Sequence, residues 1–454
     1  MRRRPASAPS VCIVTLGCPK NEADSRTVVR HLRSAGVAVV DVPEDATHLL
    51  LNTCGFIQDA KEESIAAILE ACAGYPDKRV LVMGCLVERY RQELAEGIPE
   101  VAGWFGLAGK PVAEELVRRL RLEAGKTPGE GTVSPWRGRP HAVSGDNCRP
   151  ERRARSYAYL KISDGCDELC TFCAIPAIKG PYHSVPVAEI LREADACLGE
   201  GARELVLVGQ DTAVWRDGGL DLAGLIDLLA ADERVRRVRV MYLQPEHVGD
   251  AFLEYMLSRP KLCRYLDVPF QHSHPDILRA MGRGGSGDDY PALLERARRL
   301  MPDVSVRSAF IVGFPGEREE HFEHLLSFVE KAGFDYGGGF VYSPEEGTAA
   351  AKLRPRVRPA VARWRLNRLA ALLETRSEYE HRSMVGSRVE VMVDSLDVDD
   401  RVESAVAVGR TAGQAPEVDG VTYVGGYLPE GTKPGDVIEV TVSATVGYDF
   451  FGTC

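Results

Sequence analysis

The sequence predicts an α/β protein in three parts: an N-terminal parallel α/β domain, a central partial barrel of six βα units, and a small C-terminal β-barrel. Three observations predict it. Short apolar runs alternate with amphipathic helical segments over most of the chain, and that alternation builds parallel sheets. A stretch rich in Gly, Pro and Arg without apolar period, residues 123–155, interrupts the alternation and reads as a linker. From residue 385 onward the chain carries only short alternating strands and turns. The expected divisions are therefore 10–122, 156–384 and 385–454.

At 454 residues there is room for roughly three domains with real cores. The 44% hydrophobic and 27% charged residues exclude a disordered or fibrous chain. No run approaches the roughly 18 apolar residues of a membrane span, so no membrane partner is expected. MRRRPASAPS is followed only by the short VCIVTL, which reads as a buried strand and not as a signal-peptide core. A cytoplasmic location is expected, where the 12 cysteines stay reduced and serve metal or catalysis better than a disulfide framework. A net charge of −10 argues against a chain coated with nucleic acid, and suits a basic protein partner.

In the first part, VCIVTLGC (11–18), HLLLNTC (48–54) and RVLVMGC (79–85) are apolar runs that each stop at a cysteine. NEADSRTVVRHLRSAG and QDAKEESIAAILEACAG between them read as helices. Parallel strands open their carboxyl ends on one edge, so Cys18, Cys54 and Cys85 are expected to meet there. In the second part six strands are expected: YAYLKIS, ELVLVGQD, VRVMYLQ, YLDVPFQ, VSVRSAFIVGF and FDYGGGFVYS. Most precede helical segments such as PVAEILREADACLGEG and REEHFEHLLSFVEKAG, which implies chemistry at the C-terminal strand ends. A long helix, RPAVARWRLNRLAALLETRSEYEHRSM, leads to strands SRVEVMVD, VTYVGGY and DVIEVTVSAT.

Just past the first central strand lies GCDELCTFC, with Cys166, Cys170 and Cys173 at the spacing C-x₃-C-x₂-C. Structural zinc sites and cubane clusters take four protein ligands. Three thiolates leave one position open, which suits a catalyst; a zinc site completed by a distant residue is the alternative.

The trio resembles the signature of the radical S-adenosylmethionine enzymes. Together with LGCPKNEADS, LNTCGFI, MGCL, YLKISDGCDELCTFCAIPAIKG and a TRAM-like terminal barrel, it resembles the methylthiotransferase family over nearly the whole chain. That resemblance implies two 4Fe-4S clusters. One, on Cys166, Cys170 and Cys173, leaves an iron open to S-adenosylmethionine, whose reductive cleavage releases a 5′-deoxyadenosyl radical. The other, on Cys18, Cys54 and Cys85, presents the sulfur to be inserted. An electron donor is implied as a partner, and a monomer is expected. Gly209, Gln210 and Asp211 in VLVGQDT, and Gly313, Pro315 and Gly316 in IVGFPGE, are candidate S-adenosylmethionine contacts at strand ends, or ordinary glycine turns. Phe172 could pack on the cofactor or cap the barrel. Gln271 and His272 are a substrate contact or a satisfied rim pair. Cys12, Cys72, Cys197 and Cys263 read as core, and Cys148 and Cys454 as incidental.

LGCPKNEADS, NTCGFI and APEVDGVTYV resemble the ribosomal-protein branch of the family, the RimO type, which modifies an aspartate β-carbon on small-subunit ribosomal protein number twelve. The transfer-RNA adenosine branch would show a GCQMN-like block and a serine after its second cysteine. Here Pro19, Lys20, Asn21 and Gly55 stand instead. From 385 onward 12 acids face four bases, so the terminal barrel is expected to repel RNA and attract a basic ribosomal protein, free or on the small ribosomal subunit. Asp397, Asp399 and Asp400 are candidates for that docking. A non-catalytic iron–sulfur carrier or RNA-binding protein is the alternative of another class.

Overall fold

The computed structural model describes residues 9–123, 155–284, 289–398, 402 and 405–454. The chain forms two compact units, Met1–Arg153 with Ala174–Gly180, and Ala154–Cys173 with Pro181–Cys454. Cys148, Asp399 and Asp400 lie outside the described residues.

The first unit is a parallel sheet in the order Ala38–Val40, Ser10–Thr15, His48–Thr53, Arg79–Gly84, Gly103–Trp104. His48–Thr53 is central and buried along its whole length, so it reads as an unbroken apolar run. The helices Pro19–Ser34 and Lys110–Glu123 cover one face, around Ile13, Leu50 and Leu81. Gln58–Gly74 and Cys85–Gly97 cover the other, around Val14, Leu51 and Val82. Three strands were legible in the sequence; the two flanking ones are too short, at three and two residues, to show a period.

In the second unit the six expected strands form two parallel triplets. One is ordered Arg237–Val240, Glu204–Val208, Tyr157–Lys161, and the other Tyr265–Asp267, Ser305–Val312, Tyr336–Val341. A parallel bridge between Val238 and Leu262 joins them, so the strands follow chain order around an open barrel. The helix side packs Ala158, Leu160, Leu205, Leu207, Val238, Val240, Leu266 and Val306 into one core. The alternate residues face the lumen. The last strand carries Gly337 and Gly339, where an added Cβ would lie 2.5 Å from Leu373 and 2.8 Å from Leu366. Those missing side chains let the helix Pro359–Arg382 lie directly on the strand.

The terminal barrel is closed by five strands, Arg388–Ser395, Ala405–Arg410, Thr422–Gly425, Asp449–Thr453 and Val437–Val446. Its core is Val391, Val393, Ala407, Val424, Ile438 and Val440. Two of the five were not expected: AVAVGR and DFFGT are short and interrupted by glycine. The segment 411–420 plugs the floor of the central lumen. Asp419 accepts from Tyr265 Oη at 2.6 Å and from Arg307 Nε at 3.1 Å, and Tyr159 Oη donates to Pro416 O at 2.7 Å. Beside it Glu204 takes Arg239 at 2.7 Å and Arg410 at 2.9 Å, all three fully buried. Among the described residues no helix is long and apolar enough to cross a membrane.

Candidate functional site

Each cysteine of the first trio stands where a strand hands over to its helix. Cys18 is the N-cap residue of Pro19–Ser34, Cys54 follows His48–Thr53, and Cys85 opens Cys85–Gly97. Their strands are adjacent in the sheet, so the three thiols share one edge. A glycine beside each cysteine makes the approach possible. Gly17 has φ +96°, and an added Cβ would lie 2.6 Å from Cys54 Cβ. At Gly84, with φ +108°, it would lie 2.4 Å from Thr53 O, and at Gly55 2.7 Å from Leu86 Cα. Polar side chains fix these turns. Asn21 Nδ2 donates to Leu16 O at 2.8 Å, Asn52 Nδ2 donates to Asn21 O at 2.9 Å, and Ser64 Oγ both donates to Cys54 O and accepts from Cys54 N. The adjacent glycines were the overlooked signal in LGC, TCG and MGC.

Burial pushes the Cys54 thiol up, and the charge of Cys18 adds to this. Burial drives Cys85 up to about 12; Lys179 opposes it, while Cys54 and Cys18 add to it. Lys179 lies in the Ala174–Gly180 segment of this unit, 3.5 Å from Asp24, both nearly fully buried. Two desolvated thiols with the third cysteine beside them suit a shared positive group that would deprotonate them together.

In the second unit Cys166 is buried, and Cys170 and Cys173 are half-buried. The loop is pinned at its middle: Thr171 N donates to Met281 O at 2.9 Å, its Oγ1 donates to Ala280 O at 2.7 Å, and Ala350 N donates to Thr171 O at 2.8 Å. Gly282, at φ +69°, passes so close that a Cβ would lie 2.6 Å from Leu169 O. Burial raises both the Cys166 and the Cys170 thiol. A hydrogen bond from the Glu168 backbone opposes the shift at Cys166, and the Arg283 charge opposes it at Cys170.

At the end of Glu204–Val208, Gly209 leaves room for Ser163, whose Oγ would lie 2.2 Å from an added Cβ. Gln210 Oε1 is buried with no hydrogen-bond partner among the described residues. Asp211 is buried and pairs with His247 Nδ1 at 3.0 Å, and a Glu168 carboxylate oxygen lies within 4.8 Å of the ligand atoms of both. Phe172 packs beside Ile277, Met281, Phe314 and Ala350. Gly313, at φ +76°, makes room for Ala362, 2.6 Å from an added Cβ. Gly316, at φ +86°, has no atom of the described residues within 4 Å of such a Cβ. The buried pair Arg365–Glu317, at 2.9 Å, braces this turn. Gln271 takes φ +68° and His272 is fully buried, its Nε2 without a partner among the described residues and its pKa well down through burial. Sequence reasoning missed Glu168, His247, Gly282 and Arg283, which carry no motif of their own.

Residues 10–106 match the model of Uncharacterized protein family UPF0004, 160–329 that of the Radical SAM superfamily, and 385–454 that of the TRAM domain. The chain is 40% identical to the ribosomal protein uS12 methylthiotransferase RimO of Thermotoga maritima, over 98% of this chain and 99% of that one. The chain belongs to the RimO family. The RimO proteins of Moorella thermoacetica and Aquifex aeolicus match at 36% and 38%, over 97% of this chain and 98% and 96% of theirs. Among solved structures, the radical S-adenosylmethionine methyltransferase TsrM from Kitasatospora setae covers 76% of this chain and 74% of its own. Its TM-score is 0.54 at 15% identity, a likeness of fold. Membership in the RimO family makes the chain a radical S-adenosylmethionine methylthiotransferase, and the radical domain implies a 4Fe-4S cluster and S-adenosylmethionine. The residues fit: three thiols on a pinned loop, two of them raised by burial, and a buried amide oxygen without a donor among the described residues.

Proposed function

We propose that this enzyme β-methylthiolates an aspartate of ribosomal protein uS12 in the cytoplasm, on the free protein or the small subunit. It would work as a monomer with an external electron donor and two 4Fe-4S clusters. Cys166, Cys170 and Cys173 hold one cluster, and Cys18, Cys54 and Cys85 the other. When bound, these groups and S-adenosylmethionine supply the radical that removes the substrate hydrogen and the methylated sulfur that replaces it. The chain's own part is placement. Gln210 Oε1 offers an acceptor to the cofactor's ammonium group, and Asp211, oriented by His247, offers a carboxylate. Phe172 and the turn at Gly313, Pro315 and Gly316 form an apolar and backbone wall, with Gly316 the open position. The floor formed by 411–420 keeps water from entering the lumen from below.

The observation that carries this reading is two cysteine trios at strand ends in a chain matched end to end by relatives named for uS12 methylthiolation. The same matches do not favour the transfer-RNA alternative. The test offers uS12 and transfer RNA together to the reconstituted enzyme and reads the mass of each. Methylthiolated protein is expected; methylthiolated RNA alone overturns the reading.

A further inference from the structure

We propose that Arg307 is the receptor for the substrate's side-chain carboxylate at the bottom of the barrel lumen. The inference rests on the reading of a protein aspartate as substrate.

Along Ser305–Val312 burial alternates strictly, with Val306, Phe310 and Val312 in the helix-side core. Arg307, Ala309 and Ile311 therefore face the lumen. Strand register sets Tyr336 beside Arg307, Gly338 beside Ala309, and Phe340 beside Ile311. A Cβ on Gly338 would meet no atom within 4 Å among the described residues, so the wall directly above the arginine is open. Phe340, half exposed, and Ile311 form the rim on that side. The open position at Gly338 and the one-fifth exposure of Arg307 leave the guanidinium approachable from the C-terminal side of the strands.

That guanidinium pairs with two carboxylates but is hydrogen-bonded to only one of them. Nε donates to Asp419 Oδ1 at 3.1 Å, and Nη1 is 3.8 Å from Asp267 Oδ1, beyond hydrogen-bond length. Asp267 is itself engaged, accepting from Tyr242 N at 3.0 Å. Neither Nη atom makes a hydrogen bond within the described residues, and one fifth of the side chain is exposed. Arg239 in the same lumen also has both Nη atoms without a hydrogen bond among the described residues, but its side chain is wholly buried and lies 4.5 Å over the Tyr265 ring, so no incoming carboxylate reaches it. A planar fork anchored at Nε presents both Nη groups in the geometry that binds a carboxylate bidentately. Asp267 and Asp419 already outweigh the single guanidinium, so the two Nη hydrogen bonds have to offset repulsion of any anion, and a dianionic phosphate is excluded before a monoanion is. A single monoanionic carboxylate on a short side chain is the chemistry that fits.

The test measures binding, without reductant, of two uS12-loop peptides to the reconstituted enzyme. One carries the target aspartate and the other asparagine there. The wild type should prefer aspartate by about 10- to 100-fold, the range of hydrogen bonds to a charged group. Arg307→Met should lose that preference while binding the asparagine peptide as the wild type does. Arg307→Lys, which keeps charge without the fork, should retain part of it. Unchanged binding of the asparagine peptide is the control that both variants keep the fold of the lumen. An Arg307→Met enzyme that still prefers aspartate overturns the inference. If the wild type modifies only transfer RNA, the substrate reading fails; if it modifies uS12 and Arg307→Met does so with unchanged KM, only the arginine assignment fails.

Discussion

Gly17 offers a quantitative probe of how the first trio is assembled, because a matched control stands nearby. Gly17 and Gly36 both hold positive φ, +96° and +79°. An added Cβ at Gly36 meets nothing within 4 Å among the described residues, whereas at Gly17 it lies 2.6 Å from Cys54 Cβ and 3.2 Å from Cys54 Sγ. Gly36→Ala therefore costs backbone strain alone, about 1–2 kcal/mol. Gly17→Ala adds overpacking of about 1–3 kcal/mol, because the obstructing Cβ is bonded directly to the Cys54 Cα and no side-chain rotation moves it aside. The expected totals are about 1–2 against roughly 2–5 kcal/mol. The structure can relieve the second only by displacing Cys54, so iron content should fall from about eight to about four per chain. Urea unfolding of the iron-free protein reads the first difference, and iron analysis after anaerobic reconstitution reads the second. If Gly17→Ala unfolds at the midpoint of Gly36→Ala and still takes up full iron, the glycine is not what lets the thiols converge.

The cysteine trios should separate by product. Cys170→Ala is expected to abolish 5′-deoxyadenosine formation, and Cys54→Ala to leave it while no methylthiolated uS12 appears in the mass spectrum. His381, nearly fully buried between Tyr336 and Phe450, is held neutral by burial, its pKa down at about 4. Unfolded chains bind a proton there first as pH falls below about 6.5, so about 2–4 kcal/mol of stability should drain away between pH 6.5 and 4. His381→Phe should flatten that part of the urea-midpoint profile; an unaltered slope would put the loss elsewhere. Reversing Asp397, Asp399 and Asp400 to Lys should slow uS12 association and blunt its salt dependence, measured by stopped flow, while leaving basal cofactor cleavage alone. Prolonged aeration with a chelator should silence the enzyme until iron, sulfide and reductant are restored; activity that survives it would contradict the cluster assignment.

Strands that end in cysteine were legible because parallel strands are apolar throughout and their ends carry the ligands, so Cys18, Cys54 and Cys85 announced both sheet and edge. The lumen was not legible. Arg237 and Arg239 alternate with valine as on a strand with one wet face, yet both are buried, because that face is capped by a segment some 170 residues later in sequence. The acid count of the terminal barrel overstates what solvent meets: Asp419 is spent on Arg307 and Tyr265, and Asp394 on Arg410 and Ser156, while Glu417 stays exposed beside Tyr157. Periodicity reports which residues share a face; it does not report what covers that face.

The plug formed by 411–420 bears on how substrate preference could be transplanted between relatives. Asp419 belongs to the terminal barrel by sequence, yet it fixes the Nε of Arg307 in the central one. Exchanging the terminal barrel as a cassette would therefore replace part of the reaction chamber's floor, and cutting the chain at 385 would leave Glu204 and Arg239 facing water. A hybrid cut at that boundary would inherit neither parent's selectivity. A workable graft has to carry strand Ser305–Val312 and the 411–420 turn together.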